Sequence, residues 1–405
     1  MSEEKLVPKL RFAGFTEEWN KYFLSDVIES FVNGQTPSRN VDSYWNGDIP
    51  WVSSGELNYN HITSTIEQIT EEGKKNANLK LIPSGTFLMA ITGLEAAGTR
   101  GSCAILDIDA TTNQSCMALF PKKEKLTTKF LYYWYLKVGE HYGIKYTQGT
   151  KQQSYNKELL EKLPIILPNN TEEQNKITDF LSSLNRKIEL LNKKYDNYVN
   201  FKKYLMQQIF AQKLRFDFKD EWHELRLKDV AYVPKKTKLS NIDGLNLLTV
   251  KLHTKGIEIN DKIKPKLTKR GRPYYIREYG ELLIGRQNFH NGGMGLVPKS
   301  LDGGICSNAI SSFKVFEDKI NLNYLYYFLA RPEYYKKSER LIGGTGQKEF
   351  SEKELLKLKI DMPSLQEQSK IVNLFLTMDN KINNCENQLL KSQEFKKGLL
   401  QQMFV

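Results

Sequence analysis

The sequence predicts a mixed α/β (α+β) fold in which two pseudo-symmetric globular heads are held apart by a rod of two long helices. Three observations carry that expectation. The phrase FKKYLMQQIF at 201–210 returns almost unchanged as FKKGLLQQMF at 395–404. Each copy closes a long stretch whose apolar residues fall at alternating steps of four and three. Each stretch follows a segment that mixes short β-like runs, such as FLMAIT at 87–92 and SFKVF at 312–316, with helical ones.

The long stretches are the clearest elements. Aligning Glu173-Gln174 with Glu367-Gln368 carries the register without a gap to Phe210 and Phe404, with about a third of positions identical. The first apolar series is Ile177, Leu181, Leu184, Ile188, Leu191, Tyr195, Tyr198, Leu205 and Ile209. The second is Ile371, Phe375, Met378, Ile382, Cys385, Leu389, Leu399 and Met403. A sustained 3.5-residue period marks a coiled-coil seam. Lys202 and Lys396 interrupt both copies at one place, and polar seam residues can fix register. Pro168 then Thr171 with Gln174, and Pro363 then Ser364 with Glu367, read as capping-box starts. Each helix should be roughly 50–55 Å long. Neither buries its stripe alone. The economical solution is that the copies pack on each other; alternatives are that each covers its own head or pairs with another chain.

The repeat extends into the heads. Lys9-Leu10-Arg11-Phe12 recurs as Lys213-Leu214-Arg215-Phe216, Glu18-Trp19 as Glu221-Trp222, and LSDV at 24–27 as LKDV at 227–230. The expected division is a first head over 1–168, a helix over 169–212, a second head over 213–363 and a second helix over 364–405.

Composition narrows function. The 405 residues carry 59 Lys and Arg against 47 Asp and Glu, a net charge of +12 that favours an anionic partner such as nucleic acid. Cys103, Cys116, Cys306 and Cys385 show no CxxC spacing, so no metal site is expected. The start, MSEEKLVPKLRF, lacks the apolar core of a signal peptide, and no run approaches a membrane span. No membrane partner is expected, and the cytoplasm is the simplest compartment.

Catalytic motifs are missing. GLEAAGTR at 93–100 has phosphate-loop glycines but Thr99 where Lys is required, and reads as a turn. No GxGxxG in strand–helix context, [ND]PP[YF], GxSxG or HExxH occurs. No catalytic residue is assigned.

Candidate nucleic-acid contacts are better supplied. KIKPKLTKRGRPYYIREY at 262–279 interleaves Lys262, Lys264, Lys266, Lys269, Arg270, Arg272 and Arg277 with tyrosines, as phosphate contact requires, though a solvated basic face would look the same. Arg286 and Gln287 follow Gly285 and could address guanine or adenine. Two Gly-Thr loops, with Gln148, Thr150, Lys151 and Gln152 in one head and Thr345, Gln347 and Lys348 in the other, offer donors beside flexible backbone or are plain turns. Gln35, Thr36, Ser38 and Arg39 of NGQTPSR, with Thr99 and Arg100, are similar candidates.

The duplicated helix with Glu-Gln at its start and FKKxxxQQxF at its end, the GTxQ loop before each helix and the run GQTP…YWNGDIPWVSSGEL at 34–57 together resemble the specificity subunit of type I restriction–modification systems. The resemblance covers essentially the whole chain. It implies two target-recognition domains separated by two antiparallel helices. Each domain would read one half of a split double-stranded DNA target. The helices would set the unread gap, ~50 Å matching about 15 base pairs. They would also dock two methyltransferase (modification) subunits, which bind S-adenosylmethionine and methylate adenine. A motor-nuclease (restriction) subunit, for which ATP and Mg2+ are expected, would join to cleave unmodified DNA. This chain would bind no cofactor and catalyse nothing. The competing expectation is a coiled-coil adaptor with two protein-binding heads.

Overall fold

The computed structural model describes residues 5–95, 98–147, 153–268, 271–338 and 349–405. The chain forms two compact units, residues 1–192 with 387–405, and 193–386. These units cut across the linear division expected from sequence, because each takes one head together with one end of each long helix.

The first unit holds a five-stranded sheet of β1 (Ile28–Asn33), β2 (Asn60–Ile62), β3 (Phe87–Ala90), β4 (Cys103–Leu106) and β5 (Cys116–Pro121), in spatial order β1-β5-β3-β4-β2. The central runs FLMA and CAIL are buried at every position, which is why they read as unbroken apolar stretches and not as alternating ones. Helix α1 (Thr128–Lys145) lies over β3 and β4, and Tyr135 meets Phe87 at 5.7 Å between ring centroids. Thr127 caps it, its side chain accepting the Phe130 N–H at 3.2 Å.

The second unit repeats the plan. Its main sheet of β6 (Ala231–Tyr232), β7 (Leu282–Gly285), β8 (Met294–Leu296) and β9 (Ile310–Val315) has the order β6-β9-β7-β8, matching β1-β5-β3-β4 strand for strand. The helix that answers α1 is broken into α2 (Leu322–Leu329) and α3 (Pro332–Ser338), because Pro332 cannot continue the ladder and biases Arg331 out of helix. In both units a two-stranded antiparallel ribbon joins the start of the head to its end: Asn20–Phe23 with Pro164–Leu167, and His223–Arg226 with Lys359–Met362.

The long helices span Thr171–Phe210, with 40 residues, and Leu365–Met403, with 39. At 1.5 Å per residue each is about 60 Å long, more than the expected 50–55 Å. The seam count missed the first turn, which is held by polar groups.

In the first unit Arg11 donates from Nε and Nη2 to the two oxygens of buried Glu173, at 2.7 and 2.8 Å, and Trp19 Nε1 adds a third donor at 3.3 Å. In the second, Arg215 binds Glu367 the same way, at 3.1 and 2.7 Å, with Trp222 Nε1 at 3.2 Å. The neighbouring glutamine completes each joint. Gln174 accepts the Thr127 N–H (2.9 Å) and donates to the Lys125 carbonyl (2.7 Å); Gln368 accepts the Asn321 N–H (2.8 Å) and donates to the Pro363 carbonyl (3.0 Å). The repeated Arg of KLRF, Trp of Glu-Trp and Glu-Gln of the helix are thus one set of contacts. Neither capping box expected from sequence closes fully, because Gln174 and Glu367 commit their side chains to the head; the expected cap Ser364 does serve the second helix, its Oγ accepting the Glu367 N–H at 3.5 Å. The first cap is Asn170, not Thr171: its Oδ1 accepts the Glu173 N–H at 2.9 Å.

The far ends are also docked. Phe404 packs in the first unit against Phe130 and Trp19, with centroids 5.0 and 6.4 Å away. Phe210 packs in the second against Phe375, Tyr324 and Phe328 at 5.6–5.8 Å. A cation follows each: Lys137 Nζ donates to the Phe404 carbonyl (2.7 Å), and the Arg331 guanidinium lies 4.6 Å from the Phe210 ring centroid. FKKxxxQQxF therefore occurs twice because each long helix must end in the core of a head.

Of the seam residues, Ile177, Leu181 and Leu184 share the first unit's core with Leu399 and Met403, and Ile371, Phe375 and Met378 share the second's with Leu205 and Ile209. Leu191 is buried, while Ile188, Ile382 and Leu389 are half-buried. Within each unit the beginning of one helix meets the end of the other, and both stripes also face the head.

Candidate nucleic-acid interface

In the second unit two basic segments meet at one cleft. The Leu239 N–H donates to the Tyr274 carbonyl (3.1 Å), joining the PKKTK segment at 234–238 to the end of the 262–279 stretch. The cleft, about 460 Å³, is lined among others by Lys236, Tyr275, Arg277, Arg286, Asn308 and Lys353. The two segments expose Lys235, Lys238, Lys262, Lys264, Lys266 and Arg272.

Several cations named from sequence turn inward. Arg277 is 4% exposed and donates from Nη2 to the Ile310 carbonyl (2.7 Å). Arg286 donates to the carbonyls of Phe350 (3.1 Å) and Asn308 (3.3 Å) and pairs with Glu349 (3.0 Å). It ties together three pieces of chain around the cleft, with half-buried Gln287 beside it. Lys236, which was not named from sequence, also turns inward, its Nζ 2.6 Å from Oε1 of fully buried Glu281.

The first unit has a cleft of about 660 Å³ on the corresponding segment after its first sheet strand, lined among others by Asn33, Gln35, Thr36, Asn76, Asn78 and Lys80. Asn33, Gln35, Asn76 and Asn78 are exposed. The Gln35 backbone is pinned on both sides: its N–H donates to the Thr112 carbonyl and its carbonyl accepts from Trp51 Nε1, each at 3.0 Å. Gly34 makes that approach possible, since a Cβ there would lie 2.0 Å from the Thr112 oxygen. The Thr36 hydroxyl donates to Gln114 Oε1. The Ser38 carbonyl accepts from Trp45 Nε1 (3.1 Å). Arg39 lies 3.7 Å over the Trp45 ring and is paired with Glu67 (Nη2–Oε2, 2.9 Å), whose carboxyl is held below its usual range by that hydrogen bond. The Thr99 hydroxyl donates to the Gly93 carbonyl, and Arg100 Nη2 to the Glu95 carbonyl (2.8 Å).

Arg39, Arg100 and Arg286 share a physical reason for bonding to the protein's own loops. The guanidinium fork satisfies carbonyls and carboxylates in fixed geometry, so it braces loops well. Gln148, Thr150, Lys151, Gln152, Lys269, Arg270, Thr345, Gln347 and Lys348 lie outside the described residues. Asn76, Asn78, Lys80, Lys235 and Lys238 were not singled out from sequence, whereas Asn33 opens the NGQTPSR stretch. Only the KKTK run carried a signal that could have found any of them.

The duplicated architecture has a counterpart among known proteins. A family model for the type I restriction modification DNA specificity domain matches residues 16–197 and again 219–392. The chain belongs to that family. This specificity subunit is 23% identical over 406 residues to the type I restriction enzyme MjaVIII specificity subunit of Methanocaldococcus jannaschii, covering 95% of this chain and 91% of the relative. It is 31% identical over 185 residues to the MjaIX specificity subunit of the same organism, a match spanning 45% of this chain and 40% of that relative. The crystal structure of the type I system S subunit from M. genitalium has a TM-score of 0.65 at 17% identity, covering 98% of this chain and 99% of that one. At such identity the likeness is one of fold. As a specificity subunit the chain is a non-catalytic component. Among the described residues no helix is long and apolar enough to cross a membrane.

The specificity subunit's charge is divided unequally. Residues 1–168 carry 18 Lys and Arg against 19 Asp and Glu, whereas residues 213–363 carry 29 against 19. The cleft residue Arg286 shows the same divergence. Its backbone carbonyl accepts the Phe350 N–H (3.0 Å), and the matching carbonyl in the first head, accepting from Tyr155 at 2.8 Å, belongs to buried Ile91.

Proposed function

We propose that this chain is the DNA sequence-specificity subunit of a type I restriction–modification complex, and that each head reads one half of a bipartite target. The observation that carries the reading is the paired polar cleft: two heads of one plan present differently furnished clefts on the same segment, as two different half-sites require. The long helices set the spacer and dock two modification subunits, where S-adenosylmethionine binds and adenine is methylated. A motor-nuclease subunit, served by ATP and Mg2+, cleaves unmodified DNA. The cytoplasm, where the DNA is, is the working compartment.

Methylation mapping of the host genome with and without the gene tests this. The expected outcome is a split, adenine-methylated motif that disappears on deletion. An unchanged methylome, together with a purified assembled complex that fails to bind duplex DNA, would overturn it.

A further inference from the structure

We infer that the two heads hold DNA by different physics: the second is the electrostatic anchor, and the first contacts the duplex through neutral amides and hydroxyls. The inference rests on the DNA-reading function proposed above. Both heads carry 19 acidic residues, so the difference lies wholly in the bases, 18 against 29.

Placement agrees with the count. In the second head Lys235, Lys238, Lys262, Lys264, Lys266 and Arg272 are exposed on two segments that the Leu239–Tyr274 hydrogen bond brings together. Two cations deeper in the cleft already have partners, Lys236 with Glu281 and Arg286 with Glu349, so among the described residues the exposed set, together with exposed Lys353 on the cleft wall, is available to meet phosphate. In the first head, among the described residues, Lys80 is the one cation lining the cleft, and its other polar lining is Asn33, Gln35, Thr36, Asn76 and Asn78.

The two kinds of contact differ in one measurable way. A cation on a phosphate displaces condensed counterions, so affinity falls with salt by a slope of about 0.9 per contact. A carboxamide on a base edge or phosphate displaces none, and its contribution survives added salt. Salt should therefore release the second head first, and the first head's half of the target should be discriminated at salt concentrations where overall affinity is already low.

The test is fluorescence anisotropy of the full-length chain on a duplex carrying the mapped target, across a KCl series. The variant Lys262→Gln, Lys264→Gln, Lys266→Gln, Arg272→Gln should flatten the plot of log Kd against log salt by about 3.6, and Lys80→Gln by no more than about 0.9. Gln35→Ala with Asn78→Ala should weaken binding by about tenfold or more at every salt concentration, as lost base-edge contacts do, with the slope kept. A quadruple variant that flattens the plot no more than Lys80→Gln would overturn the division of labour alone. A wild-type chain with no salt-dependent affinity for duplex would remove the DNA-reading function and this inference with it.

Discussion

Lys202 and Lys396 stand at the same step of the two long helices, yet they meet different partners. In the second unit Lys202 Nζ pairs with Asp379, and Asp379 Oδ2 accepts the Tyr327 hydroxyl at 2.6 Å. In the first unit the residue aligned with Asp379 is Asn185, which donates to the Tyr133 hydroxyl at 2.8 Å. Lys396 is half-buried there, and burial pushes its pKa below the ordinary 10.5, with Glu189 and Cys103 acting in the opposite sense. The helix–head joints tell the contrary story. Arg11, Trp19 and Glu173 are reproduced residue for residue in Arg215, Trp222 and Glu367. The joint performs the same task in both units and has kept its chemistry. The seam lysine has a direct carboxylate partner in the second unit, whereas in the first the aligned position is the neutral Asn185, so the two ends of the helix pair are not interchangeable.

The largest expected effect tests the likeness. Glu173→Ala and Glu367→Ala each leave a buried or half-buried arginine and an indole N–H without their acceptor. Each should cost about 3–5 kcal/mol, the usual cost of breaking a buried pair from one side. Chemical denaturation should give similar losses for the two, and a loss confined to one would break the equivalence of the joints.

Asp379→Asn copies the first unit's chemistry into the second. Lys202 and Tyr327 lose a charged acceptor, and a cost of about 1–3 kcal/mol is expected from denaturant midpoints. No loss would mean that the seam charges are mutually indifferent.

The smallest effect is the most specific. Lys396 has a lowered pKa in the folded chain, so the unfolded state binds more protons in the window below 10.5, and stability rises with pH across that window. Asn185→Asp supplies the missing carboxylate. It should raise the Lys396 pKa and remove that rise, with a gain of about 1 kcal/mol or less at neutral pH. Thermal midpoints at a series of alkaline pH values for both proteins check the sign, and a variant that keeps the wild-type rise would show that Lys396 is not its source.

Periodicity made the long helices readable, because a stripe at steps of three and four needs only local geometry to be recognised. Apolar runs at 87–92 and 312–316 marked strands for a similar reason. The candidate contacts were less legible. A sequence shows that Arg39, Arg100 and Arg286 are cations but not which carbonyl or carboxylate each finds, and Arg286 reaches Phe350 across 64 residues. Of the carboxamides in the first cleft, Gln35 stood in a stretch that sequence did mark, but Asn76 and Asn78 gave no signal, since asparagine is equally at home in a turn. Their meaning came from the concavity that gathers 33–36 and 76–80 into one place.

By itself the sequence determined that this protein is two copies of one plan, each a mixed α/β head followed by a long amphipathic helix. Repetition and period are properties of neighbouring letters, and neighbouring letters suffice for both. Tertiary structure alone decided what the repeated letters are for. Arg11 lies 162 residues from Glu173, and Lys137 lies 267 residues from Phe404. Contacts over such distances depend on how the whole chain closes around its cores, and no local rule anticipates them.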